Sequence, residues 1–232
     1  MKVLKFGGTS VGKPERMRQV SDLITRDDEP KIVVLSAVSG TTNSLVQIGD
    51  SLYKKEKSDA LNKITSLYKH YETFVDELYD AADFKAKGTS VVDTQFSVIR
   101  EMLESDFTDK EERELLAQGE LISTQLFSLF LKENGLDSEL IWALDFMRID
   151  EHFEPKMDTI SAKLSPIIEK HPHNKIFITQ GFICRNEEGE IDNLKRGGSD
   201  YTASLIGAAI NANVVEIWTD IDGMHNNDPR IV

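Results

Sequence analysis

Cysteine is almost missing from this sequence, since Cys184 is the single cysteine among 232 residues. One thiol can form neither an internal disulfide nor a cysteine-built metal cluster. A chain that needs no disulfide suits a reducing compartment, and we expect it in the cytoplasm. Four histidines also lack the spacing of metal ligands, so no protein-built metal site is predicted at His70, His152, His171 or His173.

Long apolar segments and an excess of positive charge are missing as well. The first residues, MKVLKFGG, contain too short an apolar run for a signal peptide, and no membrane-length span follows. Asp and Glu outnumber Lys and Arg by 40 to 27, and the net charge of −13 disfavours nucleic-acid and anionic-membrane partners. ATP remains compatible with this charge, because local Lys and Arg side chains decide phosphate binding.

The sequence does contain an alternation of short apolar strands and amphipathic helices. Residues 2–6 and 31–35 are predicted to be strands, and Pro14 opens a helix between them. A strand–helix–strand unit of this length predicts a right-handed crossover and a parallel sheet. Later strands are predicted at residues 139–142, 175–180 and 214–218.

The middle of the chain, from about residue 43 to 135, is predicted to be helical. Its apolar stripes follow helical spacing, and we interpret them as core packing in a helical insertion or in one flank of the α/β domain. Gln118-Gly119-Glu120 interrupts the third of these helices with a glycine. Taken alone, Glu120 is interpreted as a solvated helix charge. Further along, a helix over residues 158–170 is expected to bend or break at Pro166.

The stretch from Lys195 to Arg230 carries the clearest functional signal. Two glycines in RGGSD precede a helix, where backbone N–H groups can approach an anion closely. Residues 214–218 are predicted to form a buried parallel strand, and Thr219 and Asp220 follow its carboxyl end, where open α/β sheets place their ligands. These features favour a phosphate-handling site, although RGGSD alone fits an ordinary strand-to-helix turn equally well.

A P-loop is the first phosphate motif to test, because GGTSVGK nearly matches it at residues 7–13. Pro14 stands where Ser or Thr must hold magnesium, and proline disfavours helical geometry at Lys13. We therefore reject the P-loop. Lys5 is the better phosphate ligand, because a lysine on a buried strand costs free energy unless an anion meets it. Asp200 is an alternative partner for Lys5, and both roles can coexist.

The segment Lys5-Phe6-Gly7-Gly8-Thr9-Ser10-Val11 resembles the signature of aspartate kinases, within the wider amino-acid kinase family. Companion segments follow along the whole chain in the family's order: Ser36-Ala37, Thr42, Gln118-Gly119-Glu120, Gln180-Gly181-Phe182, Arg196 to Ala203, and Thr219 through Arg230. KxGG alone would also admit sister kinases for glutamate derivatives, carbamate or UMP. The resemblance implies an α/β fold of the carbamate kinase type: a three-layer αβα sandwich with a central, mostly parallel sheet and a helical insertion.

The resemblance also implies a reaction, in which ATP and L-aspartate give 4-phospho-L-aspartate and ADP at the start of lysine, threonine and methionine biosynthesis. The substrate's side-chain carboxylate has an ordinary pKa of about 3.9 and is ionised at neutral pH, so no general base is required. Catalysis then consists of positioning and charge stabilisation. Lys5 and Gly8 would act on the phosphoryl group, and Asp200 would orient Lys5.

Two further sets of residues are implied by the resemblance. Arg196 would bind the α-carboxylate and Glu120 the α-ammonium of aspartate. The remaining substrate contacts would be Ser36, Thr42, Gly197, Gly198 and Ser199. The nucleotide contacts would be Lys5, Gly7, Gly8, Thr219, Asp220, His225 and Arg230, with ATP and Mg²⁺ as cofactors. His225 departs from the tyrosine that many relatives carry.

The implied organisation is an amino-acid kinase domain over residues 1–232. Residues 1–194 would form mainly the aspartate-binding lobe, with the helical insertion at about 43–135, and residues 195–232 would start the nucleotide-binding lobe. Similar enzymes continue into regulatory ACT domains, and some into homoserine dehydrogenase. We therefore expect a truncated part of a longer, homo-oligomeric enzyme, with weak or absent turnover of its own. The alternatives are a sister kinase and a non-catalytic module of the same fold.

Overall fold

The computed structural model describes residues 1–195 and 197–219. In this part of the chain, seven strands form a five-stranded parallel sheet and a separate antiparallel hairpin. The strands are β1 (Lys2–Phe6), β2 (Lys31–Leu35), β3 (Glu139–Leu140), β4 (Ile176–Gln180), β5 (Ile183–Arg185), β6 (Ile191–Asn193) and β7 (Val214–Trp218). The order in the large sheet is β3-β4-β2-β1-β7, and β5 pairs with β6.

Helices connect these strands and cover both faces of the large sheet. They are α1 (Pro14–Ile24), α2 (Thr41–Tyr53), α3 (Lys57–Leu78), α4 (Ala82–Glu101), α5 (Asp109–Glu133), α6 (Ala143–Phe146), α7 (Met157–Glu169) and α8 (Gly198–Ala209). None of the described helices is both long and apolar enough to cross a membrane.

The alternation of side chains along each strand creates two hydrophobic cores, one on each face of the sheet. Leu4 and Leu35 belong to the core that α1 to α5 close, whereas Val3 and Val34 belong to the core that α6, α7 and α8 close. The predicted three-layer αβα arrangement with a parallel sheet is therefore confirmed. The helices predicted between residues 43 and 135 form one flank of this sandwich.

Helix α5 continues through the glycine that was expected to interrupt it. Thr108 and Glu111 form a capping box at its start, which supplies two of the hydrogen bonds that a helix end lacks. Gly119 instead allows close packing, because a Cβ atom at this position would lie 2.7 Å from the Cβ of Ala37. The glycine thus sets the distance between α5 and the loop after β2.

Three other local expectations are corrected by the structure. Pro166 lies inside α7 and does not break it, whereas the expected bend stays a prediction. The strand predicted at 139–142 is only two residues long, because α6 begins at Ala143. Strand β7 was predicted to be buried, yet Val214, Ile217 and Trp218 are all exposed. Among the described strands β7 pairs only with β1, so it lies at an edge of the sheet that these strands form.

Candidate active site

A cleft of about 480 Å³ opens at the carboxyl edge of the sheet. Parallel strands end on the same edge, so the loops that follow β1, β2 and β4 meet there with the first turn of α8. The structure brings nine of the predicted site residues to this cleft: Lys5, Gly8, Ser36, Thr42, Glu120, Gly197, Gly198, Ser199 and Asp200. Segments far apart in the sequence therefore share one cavity.

Lys5 and Asp200 both line the cleft and form an ion pair with each other. Lys5 Nζ lies 2.5 Å from Asp200 Oδ1, the lysine side chain is 12% exposed, and the aspartate side chain is 52% exposed. Asp200 lies in the first turn of α8, where the helix dipole favours a negative charge. The pair places a cation at the end of β1, held from one side by a carboxylate.

The glycines after β1 leave room for the chain to pack closely. A Cβ atom at Gly7 would lie 3.4 Å from Lys5 Nζ, and one at Gly8 would lie 2.9 Å from the carbonyl oxygen of Ala37. Gly8 lines the cleft, whereas Gly7 is next to the Lys5 ammonium without being part of the cleft lining. Backbone rather than side chains therefore faces the space beside Lys5.

Glu120 is a buried carboxylate, which contradicts its interpretation as a solvated helix charge. Its exposure is only 4%, and Ala37 N–H donates to its Oε1 at 3.1 Å. Its Oε2 is buried without a hydrogen-bond partner in the described structure. Burial raises the pKa of Glu120 to about 8, although the hydrogen bond from Ala37 opposes this shift. The cleft thus contains a carboxyl group with one unused acceptor.

A chain of buried hydrogen bonds fixes the helix turn that carries Glu120. The Thr124 hydroxyl donates to the Glu120 carbonyl at 2.8 Å, and Gln180 Nε2 donates to Thr124 Oγ1 at 2.8 Å. Gln180 Oε1 in turn accepts from Ala143 N–H at 2.8 Å. These bonds connect α5, β4 and α6, so three elements determine the position of the buried carboxylate.

Thr202 fixes the other wall of the cleft. Its buried hydroxyl accepts from Phe182 N–H at 3.0 Å and donates to the Gly198 carbonyl at 2.8 Å. Phe182 has a φ of +68°, a left-handed conformation that is uncommon outside glycine. A Cβ atom at Gly198 would lie 2.8 Å from the Phe182 ring. The turn after β4 and the start of α8 are therefore held together at close distance.

Several predicted nucleotide contacts are not part of this cleft. Thr219 lines a separate cavity of about 130 Å³ beside Phe6 and Trp218, whose rings stack 5.9 Å apart. Three further predicted nucleotide contacts, Asp220, His225 and Arg230, lie outside the described residues. Arg196, a predicted aspartate contact, lies outside them as well. Their roles stay predictions.

Eight residues that line the cleft were not predicted to belong to the site, and Phe182 and Lys195 are two of them. Phe182 and Lys195 both have left-handed backbones, with φ of +68° and +59°, and both face the cavity. No sequence pattern marks a non-glycine residue for this conformation. Phe182 does stand in the quoted Gln180-Gly181-Phe182 segment, which is the one signal that could have identified it.

The residues described contain no group of three or more His, Cys, Asp or Glu side chains that could hold a metal ion. Two carboxylates line the cleft, and Asp200 is paired with Lys5 while Glu120 is buried. This donor set fits a magnesium ion that is held mainly by nucleotide phosphates rather than by a protein cage.

Comparison with known proteins identifies the family to which the chain belongs. The model of the amino acid kinase family matches residues 1–232, and the chain belongs to that family. It is 31% identical to the lysine-sensitive aspartokinase 3 of Escherichia coli, covering 99% of this chain and 51% of that protein. It is 30% identical to the chloroplastic bifunctional aspartokinase/homoserine dehydrogenase 2 of Arabidopsis thaliana, covering 99% of this chain and 26% of that protein. The chain spans about half and about a quarter of the length of these two relatives.

Solved structures also show similarity to aspartokinases. E. coli aspartokinase III in complex with aspartate and ADP (R-state) matches with a TM-score of 0.87 and 29% identity, covering all of this chain and 52% of that one. The same enzyme in complex with lysine and aspartate (T-state) gives a TM-score of 0.85. The predicted resemblance to aspartate kinases is confirmed.

Proposed function

We propose that this chain is the aspartate-binding part of an aspartate kinase, which transfers the γ-phosphoryl group of ATP to the side-chain carboxylate of L-aspartate. The observation that carries this proposal is the convergence of the Lys5–Asp200 pair, the glycine turn and the buried Glu120 on one cleft. Similarity to an enzyme solved with aspartate and ADP supports the choice of both substrates.

In the proposed reaction, an aspartate carboxylate oxygen attacks the γ-phosphorus while the bond from that phosphorus to the bridging β,γ-oxygen breaks. ADP leaves with the electron pair of that bond, and no proton has to be removed from the nucleophile. Lys5 stabilises the charge on the phosphoryl oxygens, and the Gly8 backbone leaves space for them. Asp200 holds Lys5 in place.

Recognition of L-aspartate requires charged partners for its α-ammonium and its α-carboxylate. We assign the α-ammonium to Glu120, whose second oxygen has no partner in the described structure. We assign the α-carboxylate to Arg196, whose planar guanidinium suits bidentate binding. Ser36, Thr42 and Ser199 supply hydroxyl groups along the cleft, beside the backbone of Gly197 and Gly198.

For the nucleotide, we propose contacts from Gly7, Thr219, Asp220, His225 and Arg230. ATP would bring Mg²⁺ with its phosphates, and the ion would supply charge neutralisation there. We also propose a cytoplasmic location, which a single buried cysteine suits, and a homo-oligomeric full-length protein, which rests on the family resemblance alone.

A hydroxamate assay tests the activity directly. The full-length protein is incubated with MgATP, L-aspartate and hydroxylamine, which converts an acyl phosphate into a hydroxamate that forms a coloured complex with iron. Product that depends on both substrates supports the proposal, and calorimetric titration of L-aspartate tests the binding half separately. Absence of both binding and turnover in the full-length protein would favour the non-catalytic module.

A sister amino-acid kinase is the second candidate, because the KxGG segment alone does not distinguish these enzymes. Measuring ADP release with a glutamate derivative, carbamate or UMP in place of L-aspartate separates the candidates, because hydroxylamine does not trap UDP. Glu120 favours an amino acid with a free α-ammonium, since its buried carboxyl lines the same cleft as Lys5.

The Asp200→Asn variant tests whether Asp200 orients Lys5 or acts as a base. We expect kcat to fall by roughly 10- to 100-fold, because the ion pair at 2.5 Å is weakened while Lys5 keeps its charge. The shape of the pH–rate profile should not change, because the aspartate nucleophile is already ionised. Loss of a titrating limb in the profile would instead indicate a general base.

A further inference from the structure

Lys195 lines the cleft and also a second cavity of about 220 Å³, which Phe153 lines as well, and it differs from Lys5 in what holds its charge. Lys5 is neutralised by Asp200 at 2.5 Å. Within residues 1–195 and 197–219, no carboxylate lies within ion-pair distance of Lys195; its ammonium instead lies 4.6 Å from the centroid of the Phe153 ring. A cation–π contact positions an ammonium without cancelling its charge.

The backbone that presents this ammonium is held in an uncommon conformation. Lys195 has a φ of +59° and Phe153 a φ of +64°, both in the left-handed region that favours glycine. Gly198 N–H donates to the Lys195 carbonyl at 3.0 Å, so the strained residue is fixed to the start of α8. Left-handed non-glycine residues tend to persist where function requires them.

From this placement we propose that Lys195 is a further substrate-binding residue, whose ammonium binds a carboxylate or phosphate oxygen of a ligand in the cleft. The inference rests on the proposed function, since both proposed ligands are anionic. Phe153 would position the ammonium before the ligand arrives. With Lys5 paired to Asp200, Lys195 contributes unneutralised positive charge to the described cleft wall.

The test compares two lysines that have the same φ angle. Lys55 also has a φ of +59°, but it follows α2 and does not line the cleft. In both Lys195→Gly and Lys55→Gly, glycine relieves the left-handed strain, so neither melting temperature should fall. Only Lys195→Gly should weaken binding, by roughly tenfold for L-aspartate or for MgATP in calorimetric titrations.

The pattern of affinities decides between the outcomes. Loss confined to the aspartate titration assigns Lys195 to a carboxylate, and loss confined to MgATP assigns it to a phosphate. Lys195→Arg should recover part of the affinity because it keeps the charge, and Phe153→Leu should lose part of it. If Lys195→Gly and the unsubstituted protein bind both ligands with equal affinity, the role of Lys195 is refuted while the proposed function stands. Binding of neither ligand by the unsubstituted protein would overturn the proposed function and this inference together.

Discussion

Replacing Lys5 by methionine is expected to lower kcat by about 1,000-fold or more, because the cation proposed to stabilise the phosphoryl oxygens is lost. Methionine preserves much of the length and the apolar stem of lysine on β1. Asp200 then loses its partner but stays half-exposed to water, so the melting temperature should change little. Initial rates in the hydroxamate assay measure the effect.

The matched control for this variant is Lys2→Met, on the same strand. Lys2 lies at the opposite end of β1, where it pairs with Asp27 and Glu29. This variant loses two exposed ion pairs, which contribute little to stability, and it should keep its activity. If Lys5→Met retained more than about a tenth of the rate, Lys5 would not be the principal charge-stabilising group.

The Lys5–Asp200 ion pair was predicted from the sequence as an alternative to a phosphate contact for Lys5, and the structure contains it. Lys5 stands next to a glycine turn at a strand end, and Asp200 follows another glycine turn at a helix start. Both positions are local signals, and parallel strands necessarily bring such ends to one edge. The same reasoning predicted the parallel sheet, because the strand–helix–strand unit from β1 to β2 admits few other topologies.

The environment of Glu120 could not be predicted, because burial depends on contacts between distant segments. Gly119 resembles a helix interruption in the sequence, yet it is the residue that lets α5 approach Ala37. That approach places the Ala37 N–H on the Glu120 carboxyl and excludes water from it. Gly119 looks like a helix interruption in the sequence, but in the fold it is required for the close packing of α5 against Ala37.

The exposed edge at β7 was mispredicted for a different reason. The segment Val214-Val215-Glu216-Ile217-Trp218 has the β-branched composition of a buried strand. Composition shows that these side chains could be buried, but it does not show whether another element covers them. In the described part of the chain, β7 has a neighbour on one side only. Left-handed backbones at Phe182 and Lys195 escaped prediction because neither residue type favours them.

The buried carboxyl of Glu120 leads to the second large expected effect, a pH dependence of aspartate binding. With a pKa of about 8, Glu120 is mostly protonated at pH 7 in the free protein. Binding of an α-ammonium favours the ionised form, so the affinity for L-aspartate should rise up to tenfold per pH unit from pH 6 to about pH 8 and then level off. At pH 7, about 0.9 proton should be released per aspartate bound, which titrations in buffers of different ionisation enthalpy measure.

Glu120→Gln removes this dependence, because an amide keeps the acceptor for Ala37 N–H but cannot ionise. We expect its aspartate affinity to be about 100-fold weaker than that of the unsubstituted protein at pH 8.5 and to approach parity near pH 6. Glu114→Gln, a change outside the cleft on the same helix, should retain the pH dependence.

As the pH rises, the free energy of unfolding should fall while the affinity for L-aspartate rises. The native state holds a proton on Glu120 that the unfolded state releases above the ordinary pKa of 4.5. The free energy of unfolding attributable to this group therefore falls between about pH 4.5 and pH 8, by about 1.4 kcal/mol per unit at most. Glu120→Gln should escape this loss and unfold at a higher temperature at pH 8.5 while binding aspartate more weakly. A structural carboxylate would lose stability on the same substitution, so a lower melting temperature with unchanged affinity would contradict a binding role for Glu120.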